Sequence, residues 1–327
     1  MATVTVIMPA YNVEKEIALS IKDILNQTHE DLELIIINDG STDGTERVIQ
    51  SFNDRRIQHI NQQNAGVSAA RNRGMDLSHG EFILFVDADD RLDSTMIATL
   101  YNIANNDRRC DVVVCGVDSF YEGGRQKKAS GSLNVLHLSA AEAIDELLYE
   151  RSIVNAPFAK LFRASFLRKE RFPLNISIAE DLLFNYNALL KARSVAIVPR
   201  ILYFYFVRPG SAMNSQFSEK RMSGLVAVKK LVKDSKKRSL DIQYAALCRL
   251  FMESMYIAVK IPLMDKRHRR FLKECLANIG NLQNDVIRSR QASAKTKLFA
   301  RSASIHPLAA VVLAKCIYFI AHIKRKV

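Results

Sequence analysis

The chain has 327 residues, room for one large or two ordinary domains, and its 48% hydrophobic and 25% charged content is that of a globular protein with a sizeable core. Scattered prolines and glycines and the lack of an internal repeat exclude a disordered chain and a solenoid. The net charge of +13 is uneven: residues 1–216 hold 23 Lys and Arg against 27 Asp and Glu, whereas residues 217–327 hold 24 against 7.

The first stretch, "MATVTVIMPAYN", lacks a basic leader, a long apolar run and a cleavage site, so a β-strand over 3–8 is expected rather than a secretion signal. Further apolar runs at 32–37, 82–86 and 111–117 alternate with helix-like stretches near 13–26, 44–52, 65–78 and 94–105. That βαβα order predicts an α/β fold with a mostly parallel central sheet, and "LELIIIN" and "FILFVD" have the continuous hydrophobicity of strands covered on both faces. Asn12, Thr42 with Asp43, and Asp93 with Ser94 stand where helix starts need caps.

From about 118 to 140 the pattern loosens into an exposed loop or hairpin; helices near 139–150 and 180–192 and aromatic strands near 195–206 follow. Beyond about 217 every segment reads as an amphipathic helix with a basic outer face. The expected division is therefore a catalytic domain over 1–216 and a basic helical region over 217–327.

Ligands of open α/β sheets bind at the carboxyl ends of the strands. Three polar tips fall there: "PAYN", "NDGSTDG" and "DADD". Asp87 and Asp89 alternate by two, which on a strand puts both carboxylates on one side, where they could share a hard cation such as Mg2+ or Mn2+. Gly40 allows a tight turn after Asp39, and Arg71 and Arg73 follow on a small-residue helix, able to neutralise phosphate oxygens or the acidic cluster. Each pattern alone also suits an ordinary strand-turn-helix junction; their combination is what points to a nucleotide.

These stretches, "VIMPAYNVEKEIALSIKDILNQTHEDLELIIINDGSTDGT", "NAGVSAARNRGMDLSHGEFILFVDADDRLD" and, more weakly, "IAEDLLFNYNALL", resemble the family 2 glycosyltransferases, inverting nucleotide-sugar-dependent enzymes with the GT-A fold. The resemblance is dense over 3–93, thinner over 155–213 and absent from 217 onward. It implies that Pro9, Ala10 and Tyr11 line a nucleoside pocket, that Asp39 accepts from a uracil ring, and that Arg71 approaches the diphosphate. Asp87 becomes a nucleotide or ribose contact, Asp89 the residue nearest a Mn2+ or Mg2+ ion, Asp181 the base with Glu180 as runner-up, and Arg208 and Ser211 contacts from a segment closing over the diphosphate. The implied partners are a nucleotide-sugar donor, UDP-linked, and a saccharide or lipid-linked saccharide acceptor of a bacterial surface polysaccharide.

The last segment, "HPLAAVVLAKCIYFIAHIKRKV", is too short and charged to span a bilayer, and suits either a helix in the plane of an anionic membrane surface or one docked on the protein. A cytoplasmic enzyme, peripheral on the inner membrane face, is expected. Five cysteines without metal spacing read as buried reduced thiols. The alternatives are a nucleic-acid-binding protein, disfavoured because no aromatic module accompanies the basic residues, and a non-catalytic saccharide-binding relative, disfavoured by the intact acidic motifs. Dehydrogenase and P-loop NTPase readings fail on the missing GxGxxG and GxxxxGK[ST].

Overall fold

The computed structural model describes residues 3–121, 128–207 and 217–324. Two compact units emerge: the first comprises Met1–Ala143, Ser152–Leu174 and Phe184–Met213, the second Ile144–Arg151, Asn175–Leu183 and Asn214–Val327.

In the first unit the chain runs β1 (Val4–Ala10), α1 (Ile17–Leu25), β2 (Leu32–Asn38), α2 (Thr45–Gln50), β3 (Ile57–Asn61), α3 (Val67–Leu77), β4 (Phe82–Phe85), β5 (Arg91–Leu92), α4 (Met96–Asn106), β6 (Val112–Phe120) and β7 (Leu136–Leu138). Helix α5 (Ala140–Leu148), β8 (Lys160–Arg163), α6 (Ala164–Leu167), α7 (Glu180–Lys191) and β9 (Val195–Phe206) follow, with α5 from Ile144 on and α7 up to Leu183 belonging to the second unit. The nine strands form one sheet of order β3-β2-β1-β4-β8-β6-β9-β5, with β7 paired to β9. Strands β1 to β4 pair in parallel, as do β6 and β9, while β8, β5 and β7 run against their neighbours.

The apolar runs explain this sheet. Leu34 and Ile36 of β2 join Val6, Met8, Ile17, Ile21 and Met96 in one core layer, whereas Ile35 and Ile37 turn to the opposite face against Ala70 of α3. Alternate side chains thus bury on both faces, as a covered parallel strand requires. Strands β3 and β8 are absent from the sequence expectation. The first is an edge strand with only two apolar residues, Ile57 and Ile60, three positions apart, and the second is a four-residue strand opened by a buried lysine, Lys160.

Two expected caps act differently. Helix α1 begins at Ile17 rather than after Asn12, whose side chain accepts from Thr42 N at 2.8 Å and ties two loops together. Asp93 accepts from the amide and hydroxyl of Thr95, the residue preceding α4, at 3.0 and 2.6 Å.

The second unit holds α8 (Met222–Ser235), α9 (Leu240–Lys260), α10 (Arg269–Arg288), α11 (Ala294–Ile305) and α12 (Pro307–Lys324), preceded by a 3-10 turn at Glu219–Arg221. Ser239 and Ser293 cap α9 and α11 through their hydroxyls. Helix α12 buries Ala310, Val311 and Ala314, and its Lys315 donates to Ile261 O at 2.9 Å, so this stretch docks within its own unit. No helix among the described residues is long and apolar enough to cross a membrane. Cys110, Cys115, Cys248 and Cys275 are buried, as reduced core thiols would be; Cys316, on α12, is exposed and departs from that expectation.

Candidate active site

Because β1, β2 and β4 run in parallel, their carboxyl ends share one edge of the sheet, and the three polar tips lie there together. Pro9 is half-buried and Ala10 packs its methyl into the core, which leaves its backbone facing the edge; Tyr11, 49% exposed, is the first side chain to project.

Asp39 is almost fully buried, yet its carboxylate is well provided with donors. Oδ1 accepts from Gln62 Nε2 at 2.7 Å and Ala65 N at 2.9 Å, and Oδ2 from Gly66 N at 2.8 Å. A carboxylate has about four acceptor positions, so one, on Oδ2, is left beyond these three bonds. The turn after it needs Gly40: φ is +71°, and a Cβ there would stand 2.8 Å from Asn64 N.

The acidic motif is a turn, not strand. β4 ends at Phe85, and Asp90 N donates to Asp87 O at 3.1 Å, closing a four-residue turn. The expectation that Asp87 and Asp89 sit on a strand therefore gives way to a turn that leaves both half-buried at the sheet edge and drives Asp90 into the interior. Asp90 Oδ2 accepts from Tyr203 Oη at 2.5 Å and Oδ1 from Phe206 N at 2.7 Å. Ser20 Oγ donates toward the carbonyls of Ala88 and Asp90 at 2.8 and 2.7 Å. Burial, then repulsion from Asp87 and Asp89, pushes the Asp90 carboxyl well above the usual range. Tyr203 and Ser20 were not singled out in the sequence; a tyrosine in an apolar strand needing a partner for its hydroxyl was the available signal.

Arg71, on α3, is buried, and its Nη2 donates to Asp87 Oδ1 at 2.9 Å while its guanidinium lies 5.3 Å from the centre of the Phe172 ring. Of the two roles open to it, this structure places it on the acidic cluster. Asn72 and Phe172 exchange hydrogen bonds at 2.8 and 2.9 Å, and Phe172 stacks on Phe184 with ring centres 3.8 Å apart, so α3 is firmly held.

Glu180 and Asp181 belong to the second unit, half-buried in the first turn of α7, where the helix dipole favours carboxylates. The residue before them, Ala179, has φ +65°, a left-handed conformation costly for a side-chain-bearing residue. Ile178 N donates to Ser223 Oγ at 3.0 Å, fixing the approach to this strained step. Arg208 and Ser211 lie outside the described residues.

The carboxylates of Asp87 and Asp89 are the hard oxygen donors that Mg2+ or Mn2+ takes. Among the described residues no group of three or more His, Cys, Asp or Glu could hold a metal by itself. With Asp87 shared with Arg71 and Asp90 turned inward, the turn suits a cation only if a bound ligand completes the coordination.

TarS of S. aureus, in its complex with UDP-GlcNAc, matches this fold with a TM-score of 0.71 at 19% identity, over 98% of this chain and 92% of that one. The architecture is the GT-A fold of nucleotide-sugar transferases. Residues 5–170 match the family model described as Glycosyl transferase family 2, and the chain belongs to that family. Glycosyltransferase GlyA of Streptococcus pneumoniae serotype 4 is 32% identical over 237 residues, 68% of this chain and 33% of that protein. Cholesterol galactosyltransferase of Borreliella burgdorferi is 31% identical over 224 residues, 65% of this chain and 62% of that protein. The match thus spans a third to just under two thirds of these relatives' lengths.

Proposed function

We propose that the chain is an inverting, metal-dependent glycosyltransferase that moves a sugar from a UDP-linked donor to a saccharide or lipid-linked saccharide in bacterial surface-polysaccharide synthesis. The observation that carries this reading is the convergence of Tyr11, Asp39 and the Asp87–Asp90 turn at one carboxyl edge of the sheet. Family membership and the UDP-GlcNAc bound to TarS support the donor class. The names of the two relatives support glycosyl transfer. Residues 1–216 supply the catalytic domain and 217–327 the basic helical region.

In this reading the base rests on Tyr11, with Pro9 and the Ala10 backbone beside it, and the unused position of Asp39 Oδ2 accepts a uracil N–H. Asp89, with Asp87, would hold Mn2+ or Mg2+. When bound, the cation offsets negative charge on the departing nucleoside diphosphate. Arg71 keeps Asp87 in place and adds positive charge near the diphosphate, and Arg208 and Ser211 are assigned to the same leaving group. Asp181, or Glu180 in second place, accepts the proton of the acceptor hydroxyl as its oxygen bonds to the anomeric carbon opposite the breaking C–O bond, which inverts that centre.

The basic helices, with 24 Lys and Arg against 7 acids, support a peripheral location on an anionic inner membrane face, where a lipid-linked acceptor would be found.

Calorimetric titration with UDP, with and without Mn2+, for the intact chain and for Asp89→Ala tests the donor site. Metal-dependent binding that is lost in the variant is expected; UDP binding indifferent to both metal and Asp89 would refute the metal assignment.

A further inference from the structure

Between α9 and α10 the chain makes a turn whose exposure needs a reason. Met264 is 93% exposed, the highest value among the large hydrophobic side chains of the described residues, and its neighbour Leu263 is 40% exposed. Water is a poor setting for two adjacent apolar side chains. The turn is not loose: Asp265 N donates to Pro262 O at 3.1 Å, which puts Leu263 and Met264 at its two central positions. Asp265 then accepts from Arg267 N at 2.9 Å, from Arg267 Nε and Nη2 at 3.1 Å each, and bonds His268 Nδ1 at 2.9 Å. On the other side Ile261 is buried and its carbonyl is held by Lys315. The tip is presented by a fixed frame.

Its surroundings are cationic. Lys266, Arg267, Arg269 and Arg270 are all exposed, and Lys260 and Lys273 flank them. The acids at this end, Asp265 and Glu219, are matched by Arg267 and Arg270. A rigid apolar tip ringed by cations matches the interface of an anionic bilayer, with acyl chains below and phosphates at the level of the charges. Helix α12 is less suited, since Ala310, Val311 and Ala314 turn to the protein.

We propose that the Pro262–Asp265 turn is a membrane-docking wedge: Leu263 and Met264 enter the acyl region of an anionic leaflet while Lys266 and Arg269 meet lipid phosphates. The proposal rests on the membrane reading above and gives it a site.

The test is co-sedimentation of the full chain with vesicles of phosphatidylcholine alone or mixed with phosphatidylglycerol, comparing the unaltered protein, L263S/M264S and a chain lacking residues 305–327. Both serines replace exposed side chains, and thermal melts confirm that the double variant and the truncated chain are folded. Binding to the anionic vesicles with weak binding to the neutral ones, and a loss of about tenfold or more in L263S/M264S, is expected. If L263S/M264S binds like the unaltered chain while the truncation does not, the membrane reading stands and the wedge is overturned. Should the unaltered chain ignore anionic vesicles, both fall together. A change in self-association with unaltered vesicle binding would assign the tip to a second copy of the chain and also overturn the wedge.

Discussion

Tyr203 donates its phenolic hydrogen to Asp90 Oδ2 at 2.5 Å, and the same oxygen accepts from Asp87 N at 3.2 Å. One hydroxyl on β9 thereby holds both ends of the acidic turn. The ring stacks on Phe158 with centres 4.4 Å apart, a contact phenylalanine would keep. Tyr203→Phe therefore isolates the hydroxyl: a buried carboxyl and an amide each lose a partner, which costs about 1–3 kcal/mol. Urea unfolding should show that loss, and UDP titration a weaker affinity, because the turn carrying Asp89 is released.

Asp39 gives a contrasting outcome. In Asp39→Asn one oxygen becomes an NH2 group, which would face either the Gly66 amide or the Gln62 and Ala65 donors as a further donor. The NH2 is better tolerated on the Oδ2 side, where it meets one donor rather than two, and the position assigned to uracil then disappears with that oxygen. UDP and uridine should lose affinity by the same factor, about tenfold, since the change is at the base, while the Mn2+ dependence of UDP binding persists. Parallel titrations of the two ligands check this.

How much of this was legible depends on how local each signal is. "LELIIIN" and "FILFVD" announced buried parallel strands because each carries an unbroken run of four or five apolar residues, and that property needs no partner to be seen. "IQHIN" did not, since none of its residues is fully buried at an edge, and "KLFR" is too short to show a period. The spacing of Asp87 and Asp89 was visible, but a period of two fits a strand and a tight turn alike, and the deciding hydrogen bond is a backbone one. Tyr203 lies 113 residues from Asp90, so no local pattern could join them. The charge step near residue 216 marked the basic helices, yet 144–151 and 175–183 belong to the same compact unit, through contacts between residues far apart in the chain.

The second unit buries a charge cluster whose pH behaviour can be signed. Arg249 pairs with Glu150 and with Glu253 Oε2, the latter at 3.1 Å, and Tyr256 Oη donates to Glu150 at 3.1 Å. Burial raises the Glu253 carboxyl above its ordinary 4.5; Arg249 opposes this and Glu150 adds to it. The folded state thus binds the proton more tightly than the unfolded one, and stability falls as pH rises from 4.5 through the raised value. Glu253→Gln cannot ionise, so its melting temperature should fall less over that window than that of the unaltered protein. Glu253→Ala should be less stable than Glu253→Gln at every pH, because Arg249 then keeps one carboxylate partner of two and a void remains.

Asp181 and Ser223 separate chemistry from positioning. Asp181→Asn keeps the size of the side chain but removes the carboxylate proposed as proton acceptor, so transfer should be abolished while UDP affinity is unchanged. Ser223 acts one step back: its Oγ accepts from Ile178 N at 3.0 Å and donates to Lys220 O at 2.7 Å, just before Ala179 with its φ of +65°. Without that acceptor the strained step can relax and Asp181 drifts from its place. A single hydrogen bond of this kind is worth about 1 kcal/mol, or about fivefold in rate. Ser223→Ala should accordingly lower kcat about fivefold with the donor KM unaltered, and Ser223→Thr, which keeps the hydroxyl, should recover most of it. Steady-state kinetics of the three variants decide the matter. A fall in kcat in Ser223→Ala without recovery in Ser223→Thr would show that space, not the hydrogen bond, is what residue 223 provides.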